Sequence, residues 1–250
     1  MQSSTNIILA TRTFDTPPQF PWHDPPGVLK LTNRDVHVWR LGLDVSDDIA
    51  RRFENSLSSD ERARSDRFRF AHDRRRFVVR RGVLRVLLGW YLGLRPDQLR
   101  MEYNPYGKPA LSGQASQRSI QFNLTHSGEL ALIAVTLGRK VGVDVERLNP
   151  SVDELEIAER FFSQREITTL RGLFGPVRTE AFFRCWTRKE AYLKARGMGL
   201  TCFLDHLDEY VPCGHGAPVN VWDDPAELPG WSIQDLCPTL GHVAALVVEN

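Results

Sequence analysis

The spacing of apolar and polar positions changes period several times along the chain, and each change marks an element. Val36-His37-Val38-Trp39-Arg40-Leu41 alternates with a period of two and predicts a half-buried strand. Ser58-Ser59-Asp60-Glu61 reads as a capping box, with Ser58 at the cap and Glu61 three residues on. From about Asp73 to Tyr91 the period lengthens to that of a helix, with Phe77, Leu84, Leu87, Leu88 and Tyr91 along one stripe. Tyr103 to Pro109 is turn-rich. Strands are predicted at Ile120 to Leu124, Leu130 to Leu137 and Lys140 to Glu146, the last two joined by a turn at Gly138-Arg139. Val152 to Arg160 reads as a helix. Ser163-Gln164-Arg165-Glu166 is a second capping box. Glu180 to Arg196 is a strong helix that stops near Gly197 and Gly199. Further strands are predicted at Val219 to Trp222, Ser232 to Leu236 and His242 to Glu249. Ahead of the first strand, residues 1–33 read as an irregular arm. Pro17, Pro18, Pro21, Pro25 and Pro26 lack backbone donors there, while Phe20 and Trp22 give the arm a means of packing on the body.

The order of these elements repeats. Ser58-x-x-Glu61 leads to a long helix and then Gly93-Leu94; Ser163-x-x-Glu166 leads to a long helix and then Gly199-Leu200. Both helices carry a phenylalanine near the start, Phe77 and Phe183. The reading is a Pro-rich arm (1–33) and two similar α/β lobes, 34–138 and 139–250, with a site between the lobes.

Composition narrows the class. With 42% hydrophobic and 25% charged residues, the 250-residue chain can bury a sizeable core. A net charge of +1 argues against a polyelectrolyte binder. Locally the balance is different, since Arg62, Arg64, Arg67, Arg69, Arg74, Arg75, Arg76, Arg80, Arg81 and Arg85 crowd one stretch. Such a block attracts phosphates or forms a solvated helix face. Cys185, Cys202, Cys213 and Cys237 are widely spaced, which indicates neither a zinc site nor a disulfide framework. No apolar run is long enough to span a bilayer and the N-terminus is not signal-like, so a cytoplasmic setting is expected.

Four segments can carry chemistry. In Gly142-Val143-Asp144-Val145-Glu146 the strand period puts Gly142, Asp144 and Glu146 on one face. Two carboxylates there could hold a hard cation, with the small Gly142 leaving room, or could simply form a solvated acidic edge. Glu190 and Lys194 sit at i and i+4 on a helix rich in aromatic residues. Glu190 could be a third ligand or a base, and Lys194 could neutralise a phosphate. Phe122-Asn123-Leu124-Thr125-His126-Ser127-Gly128 gathers hydroxyl, amide and imidazole groups at a strand end, a phosphate loop or an ordinary turn. No elbow glycine precedes Ser127, so a serine hydrolase is not indicated. Tyr106-Gly107-Lys108-Pro109 lacks the spacing of a Walker loop and reads as a turn presenting a cation.

Taken in order, Tyr-Gly-Lys-Pro, Phe-Asn-Leu-Thr-His-Ser, Gly-Val-Asp-Val-Glu and Trp-Thr-Arg-Lys-Glu-Ala-Tyr-Leu-Lys-Ala with Gly-x-Gly-Leu resemble the Sfp-type 4′-phosphopantetheinyl transferases. The match runs from about Leu57 to Phe203. The resemblance implies an α/β (α+β) fold of two pseudo-twofold lobes in one chain, active as a cytoplasmic monomer without nucleic-acid or membrane partners. It implies transfer of 4′-phosphopantetheine from coenzyme A to a serine of an apo acyl-, polyketide- or peptidyl-carrier protein, dependent on Mg2+, with release of adenosine 3′,5′-bisphosphate. By motif, Asp144, Glu146 and Glu190 are the implied magnesium ligands. Thr125, His126 and Lys108 are implied coenzyme A contacts, and Lys194 is implied on the pyrophosphate. Arg64 and Arg76 fall where the family places cations for the nucleotide's 3′-phosphate and its surroundings. Glu190, directly or through a metal-bound water, is the implied base. Thr125 stands where serine is more usual, and Glu61 where some members carry a basic residue. Two other readings stay open: a non-catalytic coenzyme A or carrier-protein binding module, and a nucleic-acid binder using the arginine block.

Overall fold

The computed structural model describes residues 29–199 and 230–250, and the backbone of 7–13. The chain divides at Gly138/Arg139 into two compact units.

The first unit is a four-stranded antiparallel sheet with a long helix against it. Strands β1 (Ile7–Thr13), β2 (Asp35–Gly42), β5 (Ile120–Ser127) and β6 (Leu130–Leu137) are ordered β1-β2-β6-β5. Helices α1 (Asp47–Glu54), α2 (Ser59–Ser65) and α3 (Ala71–Leu92) follow β2. The stripe of α3 that the periodicity predicts does become core: Val83, Leu84, Leu87 and Leu88 pack with Trp39 and Leu41 of β2 and Ile133 and Val135 of β6. Helix α3 ends at Gly93, whose φ of 63° is the left-handed conformation that glycine supplies without steric cost. The turn-rich stretch holds a small hairpin, β3 (Met101–Tyr103) with β4 (Pro109–Leu111).

The second unit contains β7 (Val141–Arg147), α4 (Glu154–Phe161), α5 (Gln164–Arg171), α6 (Gly175–Arg196), β8 (Trp231–Leu236) and β9 (His242–Glu249). Its sheet is antiparallel in the order β7-β9-β8. Ala191, Tyr192 and Ala195 of α6 pack on Ala245 and Val247 of β9. The N-terminal half of α6 packs through Phe182 and Phe183 on Phe162, Ile167 and Leu170 of the α4–α5 region. Pro176 opens α6 earlier than the predicted Glu180, because the first turn needs no N–H donor from that residue.

One expectation for the arm is overturned. Residues 7–13 form a strand paired along its length with β2, Ile7 opposite Leu41 and Thr13 opposite Asp35. Ile7-Ile8-Leu9 has strand-forming side chains, and the prolines begin only after it. Pro17 to Pro26, Phe20, Trp22, Cys202, Cys213 and the strand expected at Val219 to Trp222 lie outside the described residues. Among the described residues no helix is long and apolar enough to cross a membrane.

The Ser163–Glu166 box forms in both directions, the Ser58–Glu61 box through its glutamate alone, and each glutamate does a second job. The Glu61 carboxylate accepts from Ser58 N at 3.1 Å and also from Arg81 Nε at 2.7 Å and Arg85 Nε at 2.5 Å, both on α3. The Glu166 carboxylate accepts from Ser163 N at 2.7 Å and also from Lys189 Nζ at 2.7 Å and Cys185 Sγ at 3.2 Å, both on α6. The α3 partners stand 20 and 24 residues after their glutamate, and the α6 partners 19 and 23. Arg81 therefore corresponds to Cys185 and Arg85 to Lys189, and the same offset carries Gly93 to Gly197, the left-handed residue that ends α6. The repeat is real, but this register pairs Phe77 with Ala181 rather than with Phe183.

Candidate active site

In the second unit, chemistry gathers where α6 lies on β7. Gly142 sets the spacing. A Cβ on it would meet Ala191 O at 1.9 Å and Ala195 N at 2.4 Å, so only glycine lets the helix backbone approach this closely. The room expected at Gly142 is thus taken by α6 itself. Asp144, two residues along the same face, is buried. Lys194 on α6 donates to Asp144 Oδ1 at 2.5 Å. The i,i+4 pairing of Lys194 with Glu190 expected from the sequence gives way to this bond from helix to strand. Glu190, one turn earlier, is half-buried, and its solvent-shielded Oε1 has no hydrogen-bond partner among the described residues. Burial raises the Glu190 pKa to about 7; the nearby charges of Asp144 and Glu146 push the same way, and Lys194 opposes them. Burial works against the Lys194 ammonium, but Asp144, then Glu190 and Glu146, hold its pKa above the ordinary value. Three carboxylates and one ammonium thus feel one another. No three His, Cys, Asp or Glu side chains among the described residues are gathered as a ready metal-ligand set.

In the first unit a cavity of about 320 Å³ is lined by Asp60, Glu61 and Arg64 from α2, Phe77, Arg80 and Arg81 from α3, and Tyr103, Gly107, Pro109, Leu124 and His126. The Phe-Asn-Leu-Thr-His-Ser segment lies within β5, so its side chains alternate. Leu124 and His126 reach the cavity, whereas Thr125 belongs to the opposite, buried face. At the hairpin Gly107 and Pro109 line the cavity. Lys108 is half-buried between them, its N–H donating to Asn104 Oδ1 at 2.9 Å.

The arginine block sorts into three jobs. Arg74 pairs with Glu54 and Asp66, Arg75 with Asp47, and Arg76 with Asp44, surface ion pairs that hold neighbouring segments together. Arg76 makes a two-pronged contact, Nε to Oδ1 at 2.7 Å and Nη2 to Oδ2 at 2.8 Å, and is not part of the cavity lining. Arg81 and Arg85 are buried on Glu61, and Arg81 also donates to Tyr103 Oη at 2.8 Å. Arg64 and Arg80 face the cavity. Sequence reading singled out Arg64 and passed over Arg80. The available signal was its place three residues after Phe77, on the same helix face.

Comparison with known proteins settles the lineage. The family model described as the 4′-phosphopantetheinyl transferase superfamily matches residues 140–241, and that of the transferase N-terminal domain matches 47–137. The chain is 40% identical over 235 residues to the 4′-phosphopantetheinyl transferase HetI of Nostoc sp. strain PCC 7120, covering 93% of this chain and 95% of HetI. The chain belongs to the 4′-phosphopantetheinyl transferase family. It is also 29% identical over 161 residues to Sfp of Bacillus subtilis strain 168, covering 64% of this chain and 69% of Sfp. With psf-1 of Bacillus pumilus it shares 34% identity over 145 residues, covering 58% of this chain and 60% of that transferase. The chain is accordingly a transferase enzyme of mixed α and β structure, with family-matching regions in both units.

Proposed function

We propose that the chain transfers the 4′-phosphopantetheinyl group of coenzyme A to a serine hydroxyl of an apo carrier protein, in a Mg2+-dependent reaction that releases adenosine 3′,5′-bisphosphate. The observation that carries this reading is the Asp144–Glu146–Glu190–Lys194 group of a chain in this family. Asp144, Glu146 and Glu190 all act electrostatically on Lys194, and the shielded Glu190 Oε1 accepts no hydrogen bond from the described residues. The donors are all hard carboxylate oxygens, which fits a divalent cation of the magnesium type. Asp144, Glu146 and Glu190 are the residues that would hold it. When bound, it supplies Lewis-acid polarisation of phosphate oxygens and offsets charge on the departing nucleotide phosphate.

The chain's own groups do the rest. Lys194 carries a persistent positive charge toward the pyrophosphate, since its carboxylate neighbours keep it protonated. The carrier serine oxygen forms a bond to the phosphorus that bears pantetheine. The bond from that phosphorus to the oxygen bridging it to the nucleotide's phosphate breaks, and the electron pair leaves with adenosine 3′,5′-bisphosphate. The serine proton needs an acceptor, and Glu190, directly or through a metal-bound water, is the candidate base. His126, the lining of the first unit's cavity and the adjoining Lys108 are assigned to the nucleotide portion of coenzyme A, and Thr125 to the strand that presents His126.

The test is direct. The purified chain is incubated with coenzyme A, magnesium and an apo carrier protein, and the carrier is weighed by mass spectrometry. A phosphopantetheine increment that chelator prevents and magnesium restores is expected. An unmodified carrier across acyl, polyketide and peptidyl types would reject the transfer, and full modification in chelator would reject the metal dependence alone.

A further inference from the structure

Helix α6 carries charged side chains in three neighbouring i,i+4 stripes, and each stripe goes to a different part of the second unit. Cys185 and Lys189 meet Glu166 of α5. Glu190 and Lys194 lie on the β7 side, where Lys194 bonds Asp144. Arg184 and Arg188 reach Asp235 on β8. Arg188 is buried and grips that carboxylate with two prongs, Nε to Oδ1 at 2.6 Å and Nη2 to Oδ2 at 2.6 Å. Arg184 adds a third contact, Nη1 to Oδ2 at 3.0 Å, and keeps Glu180 as a partner of its own. The sheet order β7-β9-β8 makes the last two stripes opposite flanks of one helix, with Ala191 and Ala195 between them on Ala245 and Val247 of β9. Tyr192 continues the Arg188 flank and meets Trp231 of β8 edge-on, ring centroids 5.6 Å apart. At about 100° per residue, Arg188 and Glu190 point about 160° apart. The register set by Glu61 and Glu166 puts the core residue Leu84 of α3 where Arg188 stands, and a leucine cannot make the pair. The glutamate tie is thus shared by both units, and the tie to β8 belongs to the helix that carries Glu190.

We propose that Asp235 is a positioning residue for the transfer reaction: by its two-pronged hold on Arg188 it fixes the roll of α6 about its axis, and with it the place of Glu190. It acts only through Glu190, so the inference rests on the reading above that Glu190 takes part in transfer. Asp144 and Glu146 repel Glu190 and favour a roll that lifts this flank off β7, against the pull of Lys194. The same roll drives Arg188 against β8. A guanidinium fork and a carboxylate match in one relative geometry, so their pair resists the roll as a single point charge would not. The tolerance is small. A roll of about 10° at a side-chain radius of about 5–6 Å moves Glu190 by about 1 Å. Misplacement by about 1 Å, caused far from the chemistry, costs about 100-fold in rate.

The test crosses the tie with the residue it positions. Carrier mass gain gives kcat and KM for coenzyme A in the wild type, Asp235→Asn, Arg188→Lys and Glu180→Gln, at a temperature below every melting transition. Asp235→Asn keeps the shape and removes the charge; kcat should fall about 10- to 100-fold while KM for coenzyme A stays within about twofold. Arg188→Lys keeps charge but not the fork, so its kcat should lie between those of the wild type and Asp235→Asn. It carries the test if Asp235→Asn does not fold. Glu180→Gln leaves Arg188 on Asp235 and should stay within about twofold of the wild type. The deciding measurement places Asp235→Asn in the Glu190→Gln background. A residue that acts only through Glu190 has no further effect there, so the double variant should match Glu190→Gln within about twofold. A merely structural role would lower the rate by the same factor in both backgrounds. Equal losses in the two backgrounds, a raised KM with kcat unchanged, or wild-type kcat in both Asp235→Asn and Arg188→Lys overturns the positioning role and leaves the Glu190 reading standing. Near-normal transfer by Glu190→Gln alone overturns the Glu190 reading, and the positioning role with it.

Discussion

The two units use one local plan and charge it oppositely. In each, a serine cap and its glutamate start a short helix, the glutamate reaches a long helix, and a left-handed glycine ends that long helix. The register fixed by these glutamates sets Val86 of α3 against Glu190 of α6, and Trp90 against Lys194. Val86 is a half-buried aliphatic side chain where the second unit has its carboxylate. Trp90 is exposed, whereas Lys194 is bonded to the buried Asp144. Conversely, Arg80 of the cavity corresponds to Arg184, which is spent on Glu180 and Asp235. The scaffold residues are shared, and the chemistry lies beside them on each helix. One local frame thus carries a cationic cavity in the first unit and a carboxylate cluster in the second.

The largest expected effect separates Glu190 from its counterpart. Glu190→Gln keeps the shape and removes both the charge and the proton acceptor. Transfer should fall at least about 100-fold, in line with loss of one preorganised charged group in an active site. The melting temperature should hold or rise, because the desolvation of a buried carboxylate is relieved first, and with it the repulsion from Asp144 and Glu146, against the lost attraction of Lys194. Val86→Ala in the first unit trims an apolar side chain that carries no charge, and should change transfer by no more than about twofold. Carrier mass gain against time measures both. Near-normal transfer by a folded Glu190→Gln protein would remove Glu190 from the mechanism.

Next come the shared glutamates. Glu61→Ala removes the carboxylate that Arg81 and Arg85 share, and Glu166→Ala the one paired with Lys189; all three cations are buried. Removing one partner of a buried ion pair costs about 3–5 kcal/mol. Glu61→Ala should lie at the upper end, with two ion pairs broken instead of one. Urea midpoints, with slopes unchanged, would report the order. If either variant loses under about 1 kcal/mol, its glutamate is only a helix cap, by the usual size of cap losses.

A smaller contrast comes from two glycines in comparable strands. Gly142→Ala would drive a Cβ into Ala191 and Ala195 backbone atoms, so overpacking should cost about 1–3 kcal/mol and shift Asp144 away from Lys194. Gly42→Ala, on β2 where nothing lies within 4 Å, should be neutral or stabilise by up to about 1 kcal/mol. Thermal denaturation of both variants checks the pair. Equal effects would mean that the approach of α6 to β7 is not tight.

Much of this was legible in the sequence, for identifiable reasons. Capping boxes and helix-ending glycines are local signals, so both long helices and the repeat could be read directly. Ile7 to Thr13 escaped because the prolines nearby dominated the reading, and a strand's partner is not a local property. The second use of Glu61 and Glu166 was also hidden, since partners about twenty residues away are fixed only when the helices pack. Gly142 was correctly noticed and wrongly explained: its missing side chain admits a helix. Arg80 could be counted but not distinguished from Arg76, because only packing shows which guanidinium has already found a carboxylate.

The smallest effect is a pH dependence that belongs to the first unit. Burial alone would raise the Glu61 pKa, but the charges of Arg81 and Arg85 outweigh it and hold the carboxyl below its ordinary value of 4.5. A carboxylate with a folded-state pKa below its unfolded one stabilises the fold fully above the unfolded value. That contribution disappears as pH falls through the folded value. Stability from urea unfolding should therefore be level from pH 7 to about 5 as far as Glu61 is concerned, then decline as the solution is acidified further. Glu61→Gln cannot ionise, so its decline below pH 4.5 should be shallower than the wild type's even though it starts less stable. Parallel curves for the two proteins would show that the pull of Arg81 and Arg85 on Glu61 does not outlast its desolvation.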